Sequence, residues 1–269
     1  MTKVIIAGAA GRMGRRIGYM ANEHPGLQIA AGFERKDSPD LGKDMGDLGG
    51  YGSTGIKVAA GLDAVIDQGD VIIDFTFHEA TMQIARSAAE KNRAMVIGTT
   101  GLNPENLREL AELTKNFPCV QAPNMAVGVN VLFKLAAKVA SILGNDYDME
   151  IVEAHHRMKK DAPSGTAVKL GELMAQAVGR DLDNVGVFAR HGIIGERTDT
   201  EIGLQTIRAG DIVGEHTVYF AGAGERLELT HRAHSRDNFA RGAALAADWV
   251  VKQPHGLYTM FDVLGLQDI

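Results

Sequence analysis

Lys3-Val4-Ile5-Ile6-Ala7-Gly8-Ala9-Ala10-Gly11-Arg12-Met13-Gly14 is the stretch on which the fold turns. Residues 3–7 form a short, continuously apolar run, which reads as a strand buried on both faces. A Gly-x-x-Gly-x-x-Gly turn follows, and the pattern over residues 11–24 is helical. A strand that feeds a helix through glycines brings unpaired N–H groups and the positive end of a helix dipole to one place, and glycine lets backbone approach a pyrophosphate. The spacing alone is weak, because glycine-rich turns are common; its surroundings strengthen it. A second strand is predicted over residues 27–34. Glu34, 20 residues after Gly14, then stands where a dinucleotide fold places the acid that holds ribose hydroxyls. Arg35 follows it, suited to the 2′-phosphate of NADP, and the pair predicts NADH, NADPH or both as cofactor. Arg12 adds a charge near the phosphates.

Working outward, buried strands are predicted at residues 71–74, 94–98 and 119–122, with helices at 78–91 and 103–115. Residues 35–55 read as loop, 56–59 as a short strand and 61–67 as a short helix. This alternation is that of a Rossmann-like, doubly wound parallel sheet. Gly98-Thr99-Thr100-Gly101 and Ala122-Pro123-Asn124-Met125 fall at strand C-terminal ends, where such sheets bind ligands, and are candidates for holding a nicotinamide carboxamide. After Asn124 the pattern changes. Helices are predicted at 128–143 and 164–178, and strands at 147–154, 201–208, 215–221 and 225–232, with a hairpin at Gly222-Ala223-Gly224. This is an α+β unit with a mostly antiparallel sheet. A helix at 237–251 and a short one at 258–264 close the chain. The predicted domains are 1–125 joined by 237–269, and 126–236.

The 269 residues carry 28 Lys plus Arg against 34 Asp plus Glu, a net charge of −6. That balance argues against generic nucleic-acid binding. Cys119 is the single cysteine, so no internal disulfide forms and a reducing compartment is expected. The N-terminus lacks the shape of a signal peptide, and no run reaches the ~18 apolar residues of a membrane helix. The expectation is a cytoplasmic protein with no membrane or nucleic-acid partner.

Glu153-Ala154-His155-His156-Arg157-Met158-Lys159-Lys160-Asp161-Ala162-Pro163-Ser164-Gly165-Thr166 is the most unusual segment. A strand ends in two histidines, three more cations follow, and a proline turn opens a helix at Ser, Gly and Thr. That helix start offers free N–H groups, a dipole and two hydroxyls, and suits a carboxylate. The histidines and lysines supply the charge for a second carboxylate and titratable groups for proton transfer. Adjacent histidines on a strand point to opposite faces, and no Cys or His-x-x-x-His partner accompanies them, so no metal site is predicted. His231-Arg232-Ala233-His234-Ser235-Arg236 is a second basic cluster, which either closes over a substrate or forms a contact. His216 is isolated in the sequence and receives no role.

Together, Gly-Ala-Ala-Gly-Arg-Met-Gly at 8–14, Glu34-Arg35, Gly-Thr-Thr-Gly at 98–101, Ala-Pro-Asn-Met at 122–125 and the His-His-x-x-Lys-x-Asp-Ala-Pro-Ser-Gly-Thr segment resemble the 4-hydroxy-tetrahydrodipicolinate reductase family over essentially the whole chain. The resemblance implies a homotetramer that reduces a small cyclic dicarboxylate with NADH or NADPH in lysine and diaminopimelate biosynthesis. It implies that the first domain and the C-terminal segment hold the cofactor, through Gly8, Ala9, Ala10, Gly11, Arg12, Met13, Glu34, Arg35, Gly98, Thr99, Thr100, Ala122, Pro123, Asn124 and Met125. It implies His155 and Lys159 as the acid/base residue and proton donor, and His156, Lys159, Ser164, Gly165 and Thr166 as the substrate grip. Another two-domain nicotinamide dehydrogenase, or a non-catalytic NAD(P)-binding sensor, would share the glycine loop without needing the His-His-x-x-Lys segment.

Overall fold

Continuous apolar runs form the inner strands of a seven-stranded parallel sheet in the computed structural model, which describes Met1 to Ile269. The chain begins β1 (Thr2–Ala7), α1 (Arg12–Glu23), β2 (Leu27–Glu34), α2 (Met45–Gly49), β3 (Ala59–Ala60), β4 (Val71–Asp74), α3 (His78–Lys91), β5 (Ala94–Ile97), α4 (Pro104–Leu113) and β6 (Pro118–Gln121). Its middle is α5 (Val127–Leu143), β7 (Asp148–His155), α6 (Gly165–Ala177), α7 (Leu182–Val185), β8 (Gly186–Val187), β9 (Ile202–Arg208), β10 (Gly214–Gly222) and β11 (Glu225–Ala233). It closes with α8 (Asp237–Val250), β12 (Gly256–Tyr258) and α9 (Met260–Val263). One unit comprises Met1–Val127 and Arg236–Gln267, the other Gly128–Ser235 and Asp268–Ile269.

The first unit's sheet has the order β12-β6-β5-β4-β1-β2-β3. Val4, Ile5, Ile6, Val71, Ile72 and Ile73 expose no surface, as strands covered by helices on both faces require. α4 opens on a capping box in which Asn103 and Asn106 satisfy each other's backbone N–H groups, with Pro104 in the first turn. α8 packs on α1 and over β4, β5 and β6. Its inner face is alanine, and a Cβ on Gly242 would fall 1.8 Å from the Met125 carbonyl oxygen. Small residues therefore let the returning helix close on the turn after β6.

The irregular stretch departs from expectation. Within residues 35–55 the Asp44 carboxylate accepts N–H bonds from Gly46, Asp47, Thr54 and Gly55, which folds a short helix, α2, inside the predicted loop. Isolated bridging of Asp44 to Lys57 and the two-residue β3 replace the strand expected at 56–59, and two 3₁₀ turns replace the helix at 61–67. β12 is an unanticipated edge strand; three residues carry too little pattern to reveal it.

In the second unit the sheet order is β11-β10-β7-β9-β8. β10 runs antiparallel to both β11 and β7 over long registers, while β9 pairs parallel with β7 and with the two-residue β8. The sheet is thus mixed and mostly antiparallel. Along β7 and β10 burial alternates: Met149, Ile151 and Glu153 with His216, Val218 and Phe220 face inward. α6 buries Ala167, Leu170, Gly171, Met174 and Ala175, the spacing of one helical face. Residues Val127–Asp146 form a mostly apolar helical stretch of 20 residues, so one segment does attain membrane-span length. Val129, Leu132, Phe133, Ala136 and Ala140 form the buried face of α5, while Val127, Leu135 and Ile142 are exposed.

Candidate active site

At the end of β1 the chain order reverses, with β2 on one side and β4 on the other. Gly8 sits there at φ +62°, in the left-handed region that glycine adopts freely. Gly11 N–H donates to the Gly8 carbonyl at 2.9 Å. A Cβ on Gly14 would stand 2.1 Å from that same oxygen, so only glycine lets α1 close on the turn. Glu34 Oε1 accepts the Ala10 N–H at 3.0 Å, fixing the end of β2 to the loop. A cleft of about 490 Å³ opens at this point, lined by Gly8, Glu34, Arg35, Gly61, Thr76 and Phe77 among others. Arg35 is 78% exposed and pairs with Asp37 at 3.1 Å. Arg12 is exposed and Met13 packs against the core. A tight glycine turn at a switch point, an acid at the tip of β2 and a cleft joining them fit a dinucleotide. Sequence reasoning missed Phe77 and Gly61, which lie outside any recognisable spacing.

The turn at 98–101 is organised by Asp74, fully buried at the end of β4. It accepts hydrogen bonds from the hydroxyls of Thr76, Thr81 and Thr99 and from the Thr76 N–H. Burial pushes its carboxyl above the ordinary range, opposed by these donors. Thr99 is thereby turned into the fold, while Thr100 is exposed. Gly98 lies flat on Phe75: a Cβ there would meet the ring at 2.2 Å. Ala122 and Met125 are buried, Asn124 Oδ1 accepts the Ala126 N–H at 2.9 Å, and Pro123 is exposed.

In the second unit the His–Lys segment converges on a residue the sequence reading passed over. Glu153, 1% exposed, accepts two hydrogen bonds from Arg208 at 2.8 Å, one from the Ser164 N–H at 2.9 Å and one from Thr206 Oγ1 at 3.2 Å. Its Oε2 lies 2.6 Å from His155 Nδ1. Burial alone would raise this carboxyl; the bonds from His155, Arg208 and Ser164 overcome it and hold the group well below the carboxylate range. Cross-strand register places Thr206, Glu153, His216 and His231 in one row, and Arg208 beside His155 in the next. His216, isolated in sequence, is buried: it shares a hydrogen bond with Ser164 Oγ at 3.0 Å and stacks edge-on with His155 at 5.2 Å. Burial, then the charge of His155, pushes His216 down to about 3. Burial also lowers His231, whose ring faces Gly128.

Lys159 Nζ pairs with the exposed Asp161 carboxylate at 2.9 Å. Arg208 also donates to the Asp161 carbonyl, which ties that turn to β9. Ser164 caps α6 by accepting the Ala167 N–H, and Gly165 and Thr166 form its first turn. His156 lies half-buried just beyond the strand. No group of three or more His, Cys, Asp or Glu is arranged to hold a metal ion. A larger cleft of about 890 Å³ in the first unit, lined by Met1, Gly26, Asp70, Arg93, Lys252 and His255 among others, lies at the N-terminal ends of the strands, opposite the glycine loop.

Residues 2–125 match the family model for the dihydrodipicolinate reductase N-terminus, and residues 128–264 match that for its C-terminus. The 4-hydroxy-tetrahydrodipicolinate reductase of Desulfotalea psychrophila is 64% identical over 269 residues, covering all of both chains. That of Syntrophus aciditrophicus is 56% identical over 267 residues, 99% of this chain and all of the other. Among solved structures, a dipicolinate-bound dihydrodipicolinate reductase from Paenisporosarcina superposes with a TM-score of 0.76 at 27% identity, covering 97% of this chain and 98% of that one. A probable dehydrogenase from Thermotoga maritima, at 11% identity and a TM-score of 0.61, shares the fold. The glycine loop, the buried Glu153 cluster and these matches agree: the chain belongs to the dihydrodipicolinate reductase family of nicotinamide-dependent oxidoreductases.

Proposed function

We propose that this protein reduces the cyclic dicarboxylate 4-hydroxy-tetrahydrodipicolinate with NADH or NADPH, on the lysine and diaminopimelate route. The observation that carries this reading is the convergence, within one unit, of His155, the Lys159 turn and the capped start of α6 on Glu153. Two carboxylates need two positive sites. The first turn of α6, at Gly165 and Thr166 beside the Ser164 cap, offers the positive end of a helix dipole, and Lys159, whose counter-ion Asp161 is exposed and replaceable, offers the other. His156 adds to this grip. The dipicolinate carried by the Paenisporosarcina enzyme supports the same ligand class here.

The cofactor would be held by Gly8, Ala9, Ala10, Gly11, Arg12 and Met13 at its phosphates. Glu34 and Arg35 would hold its ribose, and the turns at 98–100 and 122–125 its nicotinamide. When bound, it supplies a hydride to the substrate ring, which loss of water has made a conjugated imine. Lys159 is the proton donor to the neighbouring carbon, with His155 as the acid/base residue beside it. The same reading includes a cytoplasmic location and assembly as a homotetramer; contact between copies through the second unit is supported by the loop carrying Phe188, Ile193 and Ile194. These side chains are exposed although Arg190 and Arg197 pin the loop to Glu150 and Glu201.

NAD(P)H oxidation with freshly generated 4-hydroxy-tetrahydrodipicolinate tests the reading. Pyridine-2,6-dicarboxylate should inhibit competitively, and salt should weaken it because the contact is ionic. Absence of oxidation removes the activity. Oxidation without competition at low salt removes the anion site at α6.

A further inference from the structure

We propose that Glu153 is a positioning residue of this reductase: one buried carboxylate, neutralised by Arg208, sets the ring orientation and tautomer of His155 and at the same time fixes the Ser164 turn that opens α6. The inference rests on the reading of His155 as the acid/base residue.

The argument begins with the donors. The groups bonded to Glu153 besides His155 are all donors: both terminal guanidinium nitrogens of Arg208, the Ser164 N–H and the Thr206 hydroxyl. With an ionised carboxylate at 2.6 Å, His155 can keep that bond only by presenting N–H at Nδ1. That leaves Nε2 as the nitrogen that takes or gives a proton. It points past Gly214, where a Cβ would stand 3.1 Å from it, so the smallest residue keeps that side open. Arg208 is the permanent counter-charge; it keeps Glu153 ionised whatever the state of His155. The charged or titratable groups facing this pair are Arg208 from β9, His216 from β10, and Lys159 and Asp161 from the turn before α6. The Oε1 bond to Ser164 N–H holds the residue that caps α6, so the proton-handling imidazole and the carboxylate-binding helix start share one anchor. Neither function needs substrate to touch Glu153.

The test begins with the full-length wild-type enzyme. Its ¹⁵N–¹H imidazole spectrum, assigned with the His155→Gln variant and followed across pH, should show the neutral form of His155 protonated at Nδ1 and bare at Nε2. The reverse tautomer overturns the proposal without any carboxylate variant having to fold. Glu153→Gln should mix the tautomers and lower kcat/KM by about 10- to 100-fold, by analogy with histidines that lose their carboxylate partner at metal sites, while NADH affinity stays within twofold. Glu153→Asp should recover part of the loss. A Glu153→Gln enzyme with wild-type kcat/KM and an unchanged spectrum overturns the proposal. If His155→Ala keeps full activity, the acid/base reading itself fails. If His155→Ala is crippled while Glu153→Gln is not, only the positioning role fails.

Discussion

In the first unit the candidate cofactor site is made of backbone: the Gly8 carbonyl and the N–H groups of Ala10 and Gly11 are arranged by glycines, and one side chain, Glu34, closes the loop. In the second unit the candidate substrate site is made of side chains. Arg208, His155, His216 and Ser164 come from three strands and a helix cap to a single buried carboxylate or its neighbours. A backbone site fails when space is lost; a side-chain site fails when a charge or a proton is lost. The two kinds of substitution should therefore separate the units.

The largest effect is expected in the second unit. Lys159→Ala should lower kcat by roughly 10²–10⁴-fold, the usual contribution of general acid catalysis, and leave NADH affinity nearly unchanged. Combined with His155→Ala, it should be less than additive if the two act as one device. Near-normal turnover at saturating substrate would make Lys159 a binding residue only. The next effect is on stability. His216 is 3% exposed and held near pKa 3, against an ordinary value of about 6.5. Below pH 6.5 the unfolded chain takes a proton that the folded one refuses. The stability from neutral His216 is thus fully present above pH 6.5 and lost as pH falls toward 3. Between pH 6.5 and 5.5, above the titration of ordinary carboxylates, that loss is on the order of 1 kcal/mol. His216→Gln should flatten the fall of Tm in that window, leaving the smaller share from His231. An unchanged slope would mean that His216 titrates normally.

The same contrast explains what the sequence made legible. The glycine spacing, Glu34 and the buried strands are local patterns within 30 residues, and β2, β4 and α3 fall where periodicity places them. Residues 237–269 are expected with the first domain, yet the packing that seats α8 there, its alanines and Gly242 against a turn more than 100 residues earlier, is a complementarity no local window contains. Glu153 was inside the segment singled out, yet its importance depends on Arg208, 55 residues on, and on register with His216, 63 residues on. Nothing in the spacing of β7 says which strand will lie beside it. The one available signal was the inward phase of Met149, Ile151 and Glu153: an acid on the apolar phase of a strand needs buried partners. Small elements were lost for another reason. β8, β12 and α7 have two to four residues and are defined by their neighbours.

Glycine substitutions sharpen the comparison. Gly14→Ala would place a methyl 2.1 Å from the Gly8 oxygen, and both are backbone-fixed. A cost of roughly 1–3 kcal/mol is expected, read as a lower Tm and weaker NADH binding, with pyridine-2,6-dicarboxylate affinity retained. Gly165→Ala is the control: a Cβ there meets nothing within 4 Å, and Tm should hold or rise as the unfolded chain loses freedom. Similar losses from both would erase the distinction between a packed glycine and an open one.

The smallest effect concerns the rim of the cofactor cleft, where the first unit does rely on a charge. Arg35 is 78% exposed and already paired with Asp37, itself 73% exposed. A 2′-phosphate must compete with that carboxylate and with water, so the contact sits near the surface ion-pair value, about 1 kcal/mol, rather than that of a buried pair. Arg35→Ala should therefore raise the Michaelis constant for NADPH by about fivefold and leave that for NADH within twofold, since Glu34 and the glycine loop are untouched. Asp37→Ala should act in reverse, freeing Arg35 and favouring NADPH by a similar factor, more at low salt than at high. Equal changes for the two cofactors would detach Arg35 from the 2′-phosphate and leave Glu34 as the one side chain that reads the ribose.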